Sequence, residues 1–234
     1  MCGRFTLHVF PEEIAAWFGL EQAPLLQPRY NIAPTQPVGI VRLSGAGGTR
    51  EWALAHWGLI PSWAKDSSIG ARLINARSET AGEKPSFRAA LKRRRCLIPA
   101  SGFYEWKQAA RAKQPYLIRP RDGGLLAMAG LWERWMGADG SEIDSCTIMT
   151  TEPNELLAEI HNRMPVLLEP EDFDQWLGTG ADATRPELEQ LLHLMRPYPS
   201  DRLTVLAVSR FVNDPRHEGI GCLEAAGETS LGSS

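Results

Sequence analysis

RCLIPASGFYEWK, residues 95–107, contains two β-rich runs, RCLIPA and GFYEWK. Apolar, β-branched and aromatic residues fill both runs, as is typical of strands in a packed sheet. Comparable runs follow closely, namely QPYLIRP (114–120), LLAMAGLWERW (125–135) and SCTIMTT (145–151). They are separated by polar connections that resemble hairpin loops, KQAARAK (107–113) and MGADGSEI (136–143). This series of hairpins shows no β-α-β alternation, so it predicts an α+β domain with a largely antiparallel sheet or barrel-like core.

Helices are expected at the periphery of this core. PEEIAAWFGL (11–20) has a proline near its start, acids in its first turn and a glycine near its end, which are helix boundary signals. PSFRAALKRRR (85–95) has basic residues at its C-terminal end, where the helix dipole favours cations. Further helices are predicted in NELLAEI (154–160), EDFDQWL (171–177) and RPELEQLLHLM (185–195). The 234 residues, 43% of them hydrophobic, suit a single domain at 2–224 followed by a flexible tail at 225–234.

Composition limits the classes of function. The net charge of -3 does not indicate a nucleic-acid-binding protein, so contact with DNA requires a local basic patch. The four cysteines form no C-x-x-C pair, which argues against a zinc site or a disulfide framework, and no metal or cofactor is expected. Cys96 and Cys146 lie in apolar runs and are predicted to pack in the core. No run approaches the roughly 18 apolar residues of a membrane span and no signal peptide is recognised, so we expect a cytoplasmic protein.

The N-terminus reads MCGRF, with Cys2 directly after the initiator methionine. A small second residue permits removal of Met1, and the mature chain then begins with a free amine and a free thiol. An α-amino group has a pKa of roughly 7.7 to 8.0 and a thiol one of about 8.5, so both are partly nucleophilic near neutrality. The amine can attack an aldehyde, and the sulfur can then close a thiazolidine ring with a high effective molarity. The alternative is that Cys2 is merely a tolerated small residue.

Two internal segments carry side chains that are suited to polar recognition and proton transfer. LINARSE (73–79) places Asn75, a guanidinium, a hydroxyl and a carboxylate directly after an apolar strand end, where loops usually carry function. EIHNRMP (159–165) places His161 at or just past a helix C-terminus, where the dipole is expected to stabilise the imidazolium. For His161, a helix cap or a surface histidine is the alternative.

SGFYEWK (101–107) alternates, so that Phe103 and Glu105 share one strand face while Tyr104 and Trp106 share the other. A carboxylate beside aromatic rings is partly desolvated, which raises its pKa and lets it exchange protons near neutrality. The alternative is an outward-facing Glu105 on an amphipathic strand.

Seven motifs occur in one order along the chain: MCGRF (1–5), RYNIAPTQ (29–36), HWGLIPSW (56–63), LINARSET (73–80), SGFYEWK (101–107), EIHNRMP (159–165) and VSRFVNDP (208–215). Together they closely resemble the SOS-response-associated peptidase domain, known as SRAP, whose members are covalent sensors of abasic sites in single-stranded DNA. The resemblance extends from Cys2 to about Glu224, and it is specific because all seven motifs occur jointly.

The resemblance implies four reactive residues. Cys2 would form a thiazolidine with the ring-opened aldehyde of an abasic deoxyribose. Asn75 matches the asparagine that holds the site near the N-terminal amine, Glu105 matches the acidic proton shuttle, and His161 matches the histidine that assists sugar ring opening. We find no departure from the family pattern at these four positions.

The resemblance also implies an interface with single-stranded DNA and with junctions between single-stranded and double-stranded DNA. Its residues are the phosphate-binding Arg4, Arg77 and Arg163 and the wedging or stacking Pro34 and Trp63. Trp106 is expected to stack on DNA bases as well. Ala64 follows Trp63 where some members carry a second aromatic residue, so the base stacking departs from the family there. The basic run at 92–95 either extends this interface or is a solvated helix end.

Two other classes of function fit the same residues. In the first, Cys2 is an N-terminal nucleophile that attacks an amide carbonyl with its own α-amine as base, including self-removal of Met1. In the second, the protein is a noncovalent reader of modified DNA. The sensor itself is expected to be a self-reacting enzyme with a lyase-like intermediate, and we expect it to be a monomer.

Overall fold

The computed structural model describes residues 2–45, 48–108, 113–179 and 181–227. Thirteen strands are present in these ranges, and most of their pairings are antiparallel. In chain order they are β1 (Phe5–Leu7), β2 (Arg29–Ile32), β3 (Pro37–Ser44), β4 (Thr49–Trp57), β5 (Asn75–Arg77), β6 (Arg95–Ala100), β7 (Gly102–Gln108), β8 (Lys113–Pro120), β9 (Leu126–Met136), β10 (Glu142–Thr151), β11 (Met164–Pro165), β12 (Leu167–Leu168) and β13 (Leu203–Ala207).

The strands form two sheets. One is an antiparallel sheet of five strands in the order β13-β8-β7-β1-β2. The other has the order β11-β10-β4-β3-β6-β9-β12, and a further β9–β10 pairing closes β10, β4, β3, β6 and β9 into a barrel-like ring. The predicted single-domain α+β architecture is confirmed. Two pairings, β4–β10 and β5–β10, are parallel, and the second of them positions Asn75.

Six α-helices lie among the described residues, and all of them are short. They are α1 (Pro11–Phe18), α2 (Ser78–Ala81), α3 (Arg88–Arg93), α4 (Glu155–Ala158), α5 (Phe173–Leu177) and α6 (Arg185–Leu194). None of them is long and apolar enough to cross a membrane. The described residues also contain no cluster of three or more His, Cys, Asp or Glu that suits a metal ion.

The predicted helix at 85–95 is shorter than expected, because Arg95 begins strand β6 instead of ending α3. The buried guanidinium of Arg95 donates to the carbonyls of Leu91 at 2.8 Å and Lys92 at 2.9 Å, so it satisfies acceptors that a helix end leaves unpaired. A Cβ at Gly178 would lie 2.2 Å from Arg95 Nη2, and the φ of +76° at this glycine also requires the absence of a side chain.

The other two arginines of the basic run at 92–95 are ion-paired. Arg93 contacts Asp182 at 2.9 Å, and Arg94 contacts Glu133 at 2.6 Å. These contacts favour a structural task for the run over an extended DNA-binding groove.

The main core cluster contains side chains of both sheets, including Cys96 and Cys146 as predicted, both of them fully buried free thiols. A smaller cluster packs Tyr104 against Val208 and Val212 of the C-terminal segment. At the end of this segment Ala225 pairs with Val208, so backbone pairing continues past the predicted domain limit at 224. The predicted flexible tail remains a prediction, because residues 228–234 lie outside the described residues.

Candidate functional site

The N-terminal strand brings Cys2 to the segment that carries Glu105. Strand β1 pairs antiparallel with β7, with Phe5 opposite Phe103, and the Tyr104 N–H donates to the Arg4 carbonyl at 2.9 Å. Extending this register toward the N-terminus places residues 2 and 3 alongside Glu105. The β pairing of two segments about 100 positions apart thus assembles half of the site.

Asn75 holds the backbone of Cys2 from the other sheet. Strand β5 lies parallel to β10, with Asn75 opposite Ile148, and this pairing aims the amide at the N-terminus. Asn75 Nδ2 donates to the Cys2 carbonyl at 2.9 Å. Its Oδ1 is buried and has no hydrogen-bond partner among the residues that the structure describes. A buried acceptor without a partner is costly, so this oxygen is available to a donor on a bound substrate.

Glu105 is buried, and the alternative of an outward-facing carboxylate is wrong. Its side chain is only 4% exposed, on the same face of β7 as the core residue Phe103. Tyr104 and Trp106 lie on the opposite face in the smaller cluster, as the alternation predicts. Burial raises the pKa of Glu105 to about 7, and a hydrogen bond from the Trp106 backbone offsets part of that effect. The carboxyl therefore exchanges protons near neutrality.

His161 lies beside Glu105, with 3.9 Å between His161 Nδ1 and Glu105 Oε1. It follows α4, which is shorter than predicted, and its backbone N–H donates to the Leu157 carbonyl at 2.8 Å. The expectation of a dipole-stabilised imidazolium is wrong. Burial lowers the pKa of His161, and the positive charges of Lys113 and Arg163 lower it further, while a hydrogen bond with the Arg163 backbone partly opposes them. The dipole of the four-residue helix does not offset these effects, so the pKa of His161 lies below its ordinary value.

The Cys2 thiol also differs from the expectation of a partly ionised nucleophile. The residue is fully buried. Burial raises the pKa of the thiol far above its ordinary value, and the negative charge of Glu105 raises it further. A base must therefore take the thiol proton during any attack by sulfur, and Glu105 is the nearby group whose pKa suits that task.

Arg4 and Trp106, two of the residues predicted to bind DNA, lie together on the face of β7 that is opposite to Glu105. The Arg4 guanidinium is 5.7 Å from the centroid of the Trp106 ring, whose Nε1 donates to Asn213 Oδ1 at 2.8 Å. Arg4 Nη1 donates to Asn31 Oδ1 at 2.7 Å and to the Val212 carbonyl at 3.0 Å. These contacts fix Arg4 and Trp106 as one unit that is tied to the C-terminal segment.

The other predicted DNA contacts differ in their accessibility. Trp63 is 59% exposed and Arg77 is exposed, so both are open to a ligand. Pro34 is half-buried beside Thr35, whose N–H donates to the Trp57 carbonyl at 2.8 Å. Arg163 is only 9% exposed, and its guanidinium is already paired with a carboxylate.

Asn31 is a site residue that the sequence reasoning missed. Besides accepting from Arg4, its Nδ2 donates to the carbonyls of Val212 at 3.3 Å, Asp214 at 2.9 Å and His217 at 2.9 Å. An amide inside the β-forming run RYNI was the available signal, but nothing nearby in sequence reveals its partners.

Replacing the buried Asn31 by alanine is expected to lower the free energy of unfolding by about 3 kcal/mol, because three backbone carbonyls and Arg4 lose a hydrogen-bond partner. Urea unfolding followed by tryptophan fluorescence measures this change. Gln22, an exposed amide, is the control, and Gln22→Ala should change stability by less than about 0.5 kcal/mol. Equal effects of the two substitutions would contradict the role given to Asn31.

Thr35 is the only non-glycine residue with a positive φ among the described residues, at +68°. A β-branched residue in the left-handed region is strained, whereas asparagine tolerates this region well. We therefore expect Thr35→Asn to raise the free energy of unfolding by about 1 kcal/mol. Thermal unfolding checks this, with Thr35→Val as the matched variant that keeps the β-branch and the strain. A lower melting temperature for Thr35→Asn than for the unmodified protein would show that the strain is not relieved.

Fold and site together define a class of protein: a single α+β domain with a cysteine at position 2, whose surroundings include an amide, a carboxylate and an imidazole. The chain belongs to the SOS response associated peptidase (SRAP) family, because the model of that family matches residues 1–215.

Curated relatives include the abasic site processing protein YoqW of Bacillus subtilis (strain 168). It is 41% identical over 229 residues, which cover 96% of this chain and 100% of the relative. The abasic site processing protein HMCES of Mus musculus is 32% identical over 276 residues, covering 97% of this chain and 76% of the relative. A solved structure of a protein from Bacteroides thetaiotaomicron has a TM-score of 0.83 at 26% identity, and the match covers 96% of this chain and 100% of that one.

Proposed function

We propose that the protein is a covalent sensor of abasic sites in single-stranded DNA, and that it reacts through a mature N-terminus at Cys2. Relatives that match nearly the whole chain are named abasic site processing proteins, which supports DNA as the partner and DNA damage as the setting. We expect a cytoplasmic monomer that acts at the nucleoid, on single strands and at their junctions with duplex DNA.

The convergence of four residues from distant segments carries this proposal. Asn75 binds the Cys2 carbonyl at 2.9 Å, Glu105 acts electrostatically on the Cys2 thiol, and His161 lies 3.9 Å from Glu105. Such a set supplies a nucleophile, an orienting amide and two groups that can transfer protons. It meets the requirements of amine addition to an aldehyde, in which protons must be both removed and delivered.

The proposed reaction balances in atoms and needs neither an oxidant nor a reductant. The abasic sugar opens from hemiacetal to aldehyde when the proton of its hydroxyl leaves and the ring oxygen gains one, and His161 and Glu105 are placed to mediate this exchange. The Cys2 amine adds to the aldehyde carbon to give a carbinolamine. The carbinolamine takes a proton, which Glu105 can supply, and loses water to give an iminium. The Cys2 sulfur then bonds to the same carbon, and its proton passes to Glu105. The products are a thiazolidine and one water molecule.

Ring closure by sulfur distinguishes a sensor from a lyase. An open iminium acidifies the neighbouring sugar C–H bond, and β-elimination would then break the DNA strand. Because the thiol is carried by the same residue as the amine, closure is intramolecular and outcompetes elimination. The buried setting of Cys2 also disfavours the return of water to the iminium.

The DNA would be held mainly by exposed side chains near this site. Arg77 is exposed and can neutralise a phosphate, which suits a chain whose net charge of -3 requires a local basic surface. Arg4 is half-buried and its guanidinium already binds Asn31 and the Val212 carbonyl, so its contact with a phosphate remains a prediction. The exposed Trp63 and the half-buried Pro34 are suited to contact bases at a strand junction, where stacking contributes about 1 to 3 kcal/mol per base.

The test mixes purified protein with a single-stranded oligonucleotide that carries one abasic site, followed by denaturation with heat and detergent. A band shifted by one protein mass is expected, and mass spectrometry should place the adduct on Cys2 in a chain without Met1. An oligonucleotide whose abasic aldehyde has been reduced to an alcohol is the matched control and should give no band. Peptide cleavage without a band would favour the peptidase, and binding without a band would favour the noncovalent reader.

A further inference from the structure

Trp57 is the last residue of β4, and its side chain is fully buried. The indole Nε1 donates to the Ile74 carbonyl at 2.9 Å. The same carbonyl accepts the Ile148 N–H at 3.1 Å, a bond that extends the β5–β10 pairing by one residue. A carbonyl oxygen has two lone pairs, so these two donors occupy both of them and fix the direction of the carbonyl.

The direction of the Ile74 carbonyl sets the position of Asn75. The carbonyl group of Ile74 lies in one planar peptide unit with the nitrogen and the Cα of Asn75. A tilt of this carbonyl therefore moves the Asn75 Cα with it. Asn75 in turn donates from Nδ2 to the Cys2 carbonyl at 2.9 Å. The indole N–H of Trp57 is thus connected to the backbone of Cys2 through one peptide plane and one side chain.

The ring of Trp57 also contacts β1, the strand that follows Cys2. The ring centroids of Phe5 and Trp57 lie 5.2 Å apart at an interplanar angle of 61°, an edge-on packing that aromatic pairs favour. Phe5 is buried and lies opposite Phe103 in the β1–β7 pairing. One indole therefore contacts both segments that meet at the Cys2 carbonyl, the N-terminal strand of one sheet and the Asn75 segment of the other.

The backbone of Trp57 holds the turn that carries Pro34. The Thr35 N–H donates to the Trp57 carbonyl at 2.8 Å, and the Trp57 N–H donates to the Gln36 carbonyl at 3.0 Å. These bonds use main-chain atoms alone, so they do not depend on the side chain at position 57. The backbone of Trp57 thus supports a predicted DNA contact, while its side chain supports the reactive residues.

We propose that Trp57 is a positioning residue for the crosslinking reaction. Its indole N–H and ring hold Asn75 and the N-terminal strand in the register that presents Cys2 to the abasic aldehyde. This inference rests on the proposed function for its kinetic consequences, but the bond to the Ile74 carbonyl can be tested without DNA. The competing explanation is a purely structural tryptophan, because any buried indole N–H needs an acceptor.

The first test compares two tryptophan-to-phenylalanine substitutions. Trp57→Phe keeps an aromatic ring against Phe5 and removes the donor to the Ile74 carbonyl. Trp176→Phe is the matched control, since Trp176 is also fully buried and its Nε1 donates to the Cys96 carbonyl at 2.9 Å. Because misplacing a reacting group by about 1 Å can cost about 100-fold, Trp57→Phe should lower the maximal single-turnover rate of crosslinking by about 10- to 100-fold. Trp176→Phe should lose comparable stability and keep the unmodified rate.

Noncovalent binding separates positioning from recognition. The backbone bonds between Trp57 and the Pro34 turn remain in Trp57→Phe, so this variant should bind the reduced abasic oligonucleotide as tightly as the unmodified protein does. Both variants are compared at a temperature at which they are folded. A crosslinking rate lowered equally by Trp57→Phe and Trp176→Phe overturns the proposal. Weaker binding that fully accounts for the slower crosslinking of Trp57→Phe also overturns it.

A double-mutant cycle tests whether Trp57 acts through Asn75. Asn75→Ala removes the amide that holds the Cys2 carbonyl. Adding Trp57→Phe to this variant should therefore slow crosslinking little further, because residues that act through one another are not additive. If the two substitutions instead multiply their separate effects in full, Trp57 acts independently of Asn75 and the proposal is wrong.

The side-chain amide of Asn75 reports on the same contact without DNA. Exchange of its Nδ2 protons with solvent, measured by NMR, should be faster in Trp57→Phe than in the unmodified protein and unchanged in Trp176→Phe. Only the first substitution releases the Ile74 carbonyl and loosens the bond from Asn75 to Cys2. Unchanged exchange in Trp57→Phe overturns the proposal. If the unmodified protein formed no adduct, the proposed function would fail, and this exchange measurement would still decide on Trp57.

Discussion

Replacing Cys2 by alanine is expected to abolish the heat- and detergent-stable adduct with abasic single-stranded DNA, lowering its yield by at least about 100-fold. Alanine is also small enough for removal of Met1, so the variant keeps a free N-terminal amine and loses only the sulfur. The amine can still form an iminium, which borohydride reduction would capture. Without sulfur to close the ring, that iminium proceeds to β-elimination, and we expect strand cleavage in place of crosslinking. Denaturing gels that resolve both protein–DNA adducts and cleaved DNA measure the two outcomes together.

Cys146→Ala is the matched control for this experiment. Cys146 is equally buried and free, but it lies in β10 within the core, so its substitution should leave the adduct yield unchanged. A stable adduct in Cys2→Ala, or an adduct on a lysine in the unmodified protein, would contradict the proposed chemistry. Loss of both crosslinking and borohydride-dependent capture would mean that the terminal amine is not the attacking group.

Replacing Glu105 by glutamine is expected to slow adduct formation by about 100- to 10,000-fold, because the amide neither takes a proton from the amine or thiol nor delivers one to the sugar. In the unmodified protein the rate should rise with pH through about 7, as burial holds the pKa of Glu105 near that value and the ionised form is the base. Release of the DNA requires protonated Glu105, so the rate of release should fall over the same pH range. Both inflections should be absent from Glu105→Gln.

Folding stability gives an independent check on the pKa of Glu105. A carboxyl whose pKa rises from 4.5 in the unfolded chain to about 7 in the folded protein stabilises the fold fully below pH 4.5. This contribution is lost as pH rises through about 7 and amounts to on the order of 3 kcal/mol. Glu105→Gln should therefore be more stable than the unmodified protein at pH 8 and nearly equal to it at pH 4.

Glu133→Gln separates the role of Glu105 from the effects of burial alone. Glu133 is buried to the same extent, but it is ion-paired with Arg94 at 2.6 Å. Its substitution should lower stability and leave the crosslinking rate of the folded protein unchanged. If Glu105→Gln crosslinked at the unmodified rate, or if Glu133→Gln lost the pH inflection, the assignment of the proton shuttle to Glu105 would be wrong.

Much of the fold and part of the site follow from local patterns. The alternation in GFYEWK correctly separates Phe103 and Glu105 from Tyr104 and Trp106, because strand geometry sends successive side chains to opposite faces. The hairpin series correctly predicts the antiparallel α+β architecture. Local signals were misleading at residue 95. The helical pattern of residues 85–95 includes Arg95, but the structure buries this arginine as the first residue of β6.

The sequence by itself determined the kinds of chemical group in the site and the strands that carry them, because these depend on residue type and on periodicities within a few positions. Only the tertiary structure decided how the pKa of each group departs from its ordinary value and which partners the group has. Burial makes Cys2 a weak acid and His161 a weak base, reversing what their positions in the chain suggest. A carboxylate 84 residues away engages Arg163. Desolvation and charge pairing depend on neighbours in space, and those neighbours come from distant segments that only folding brings together.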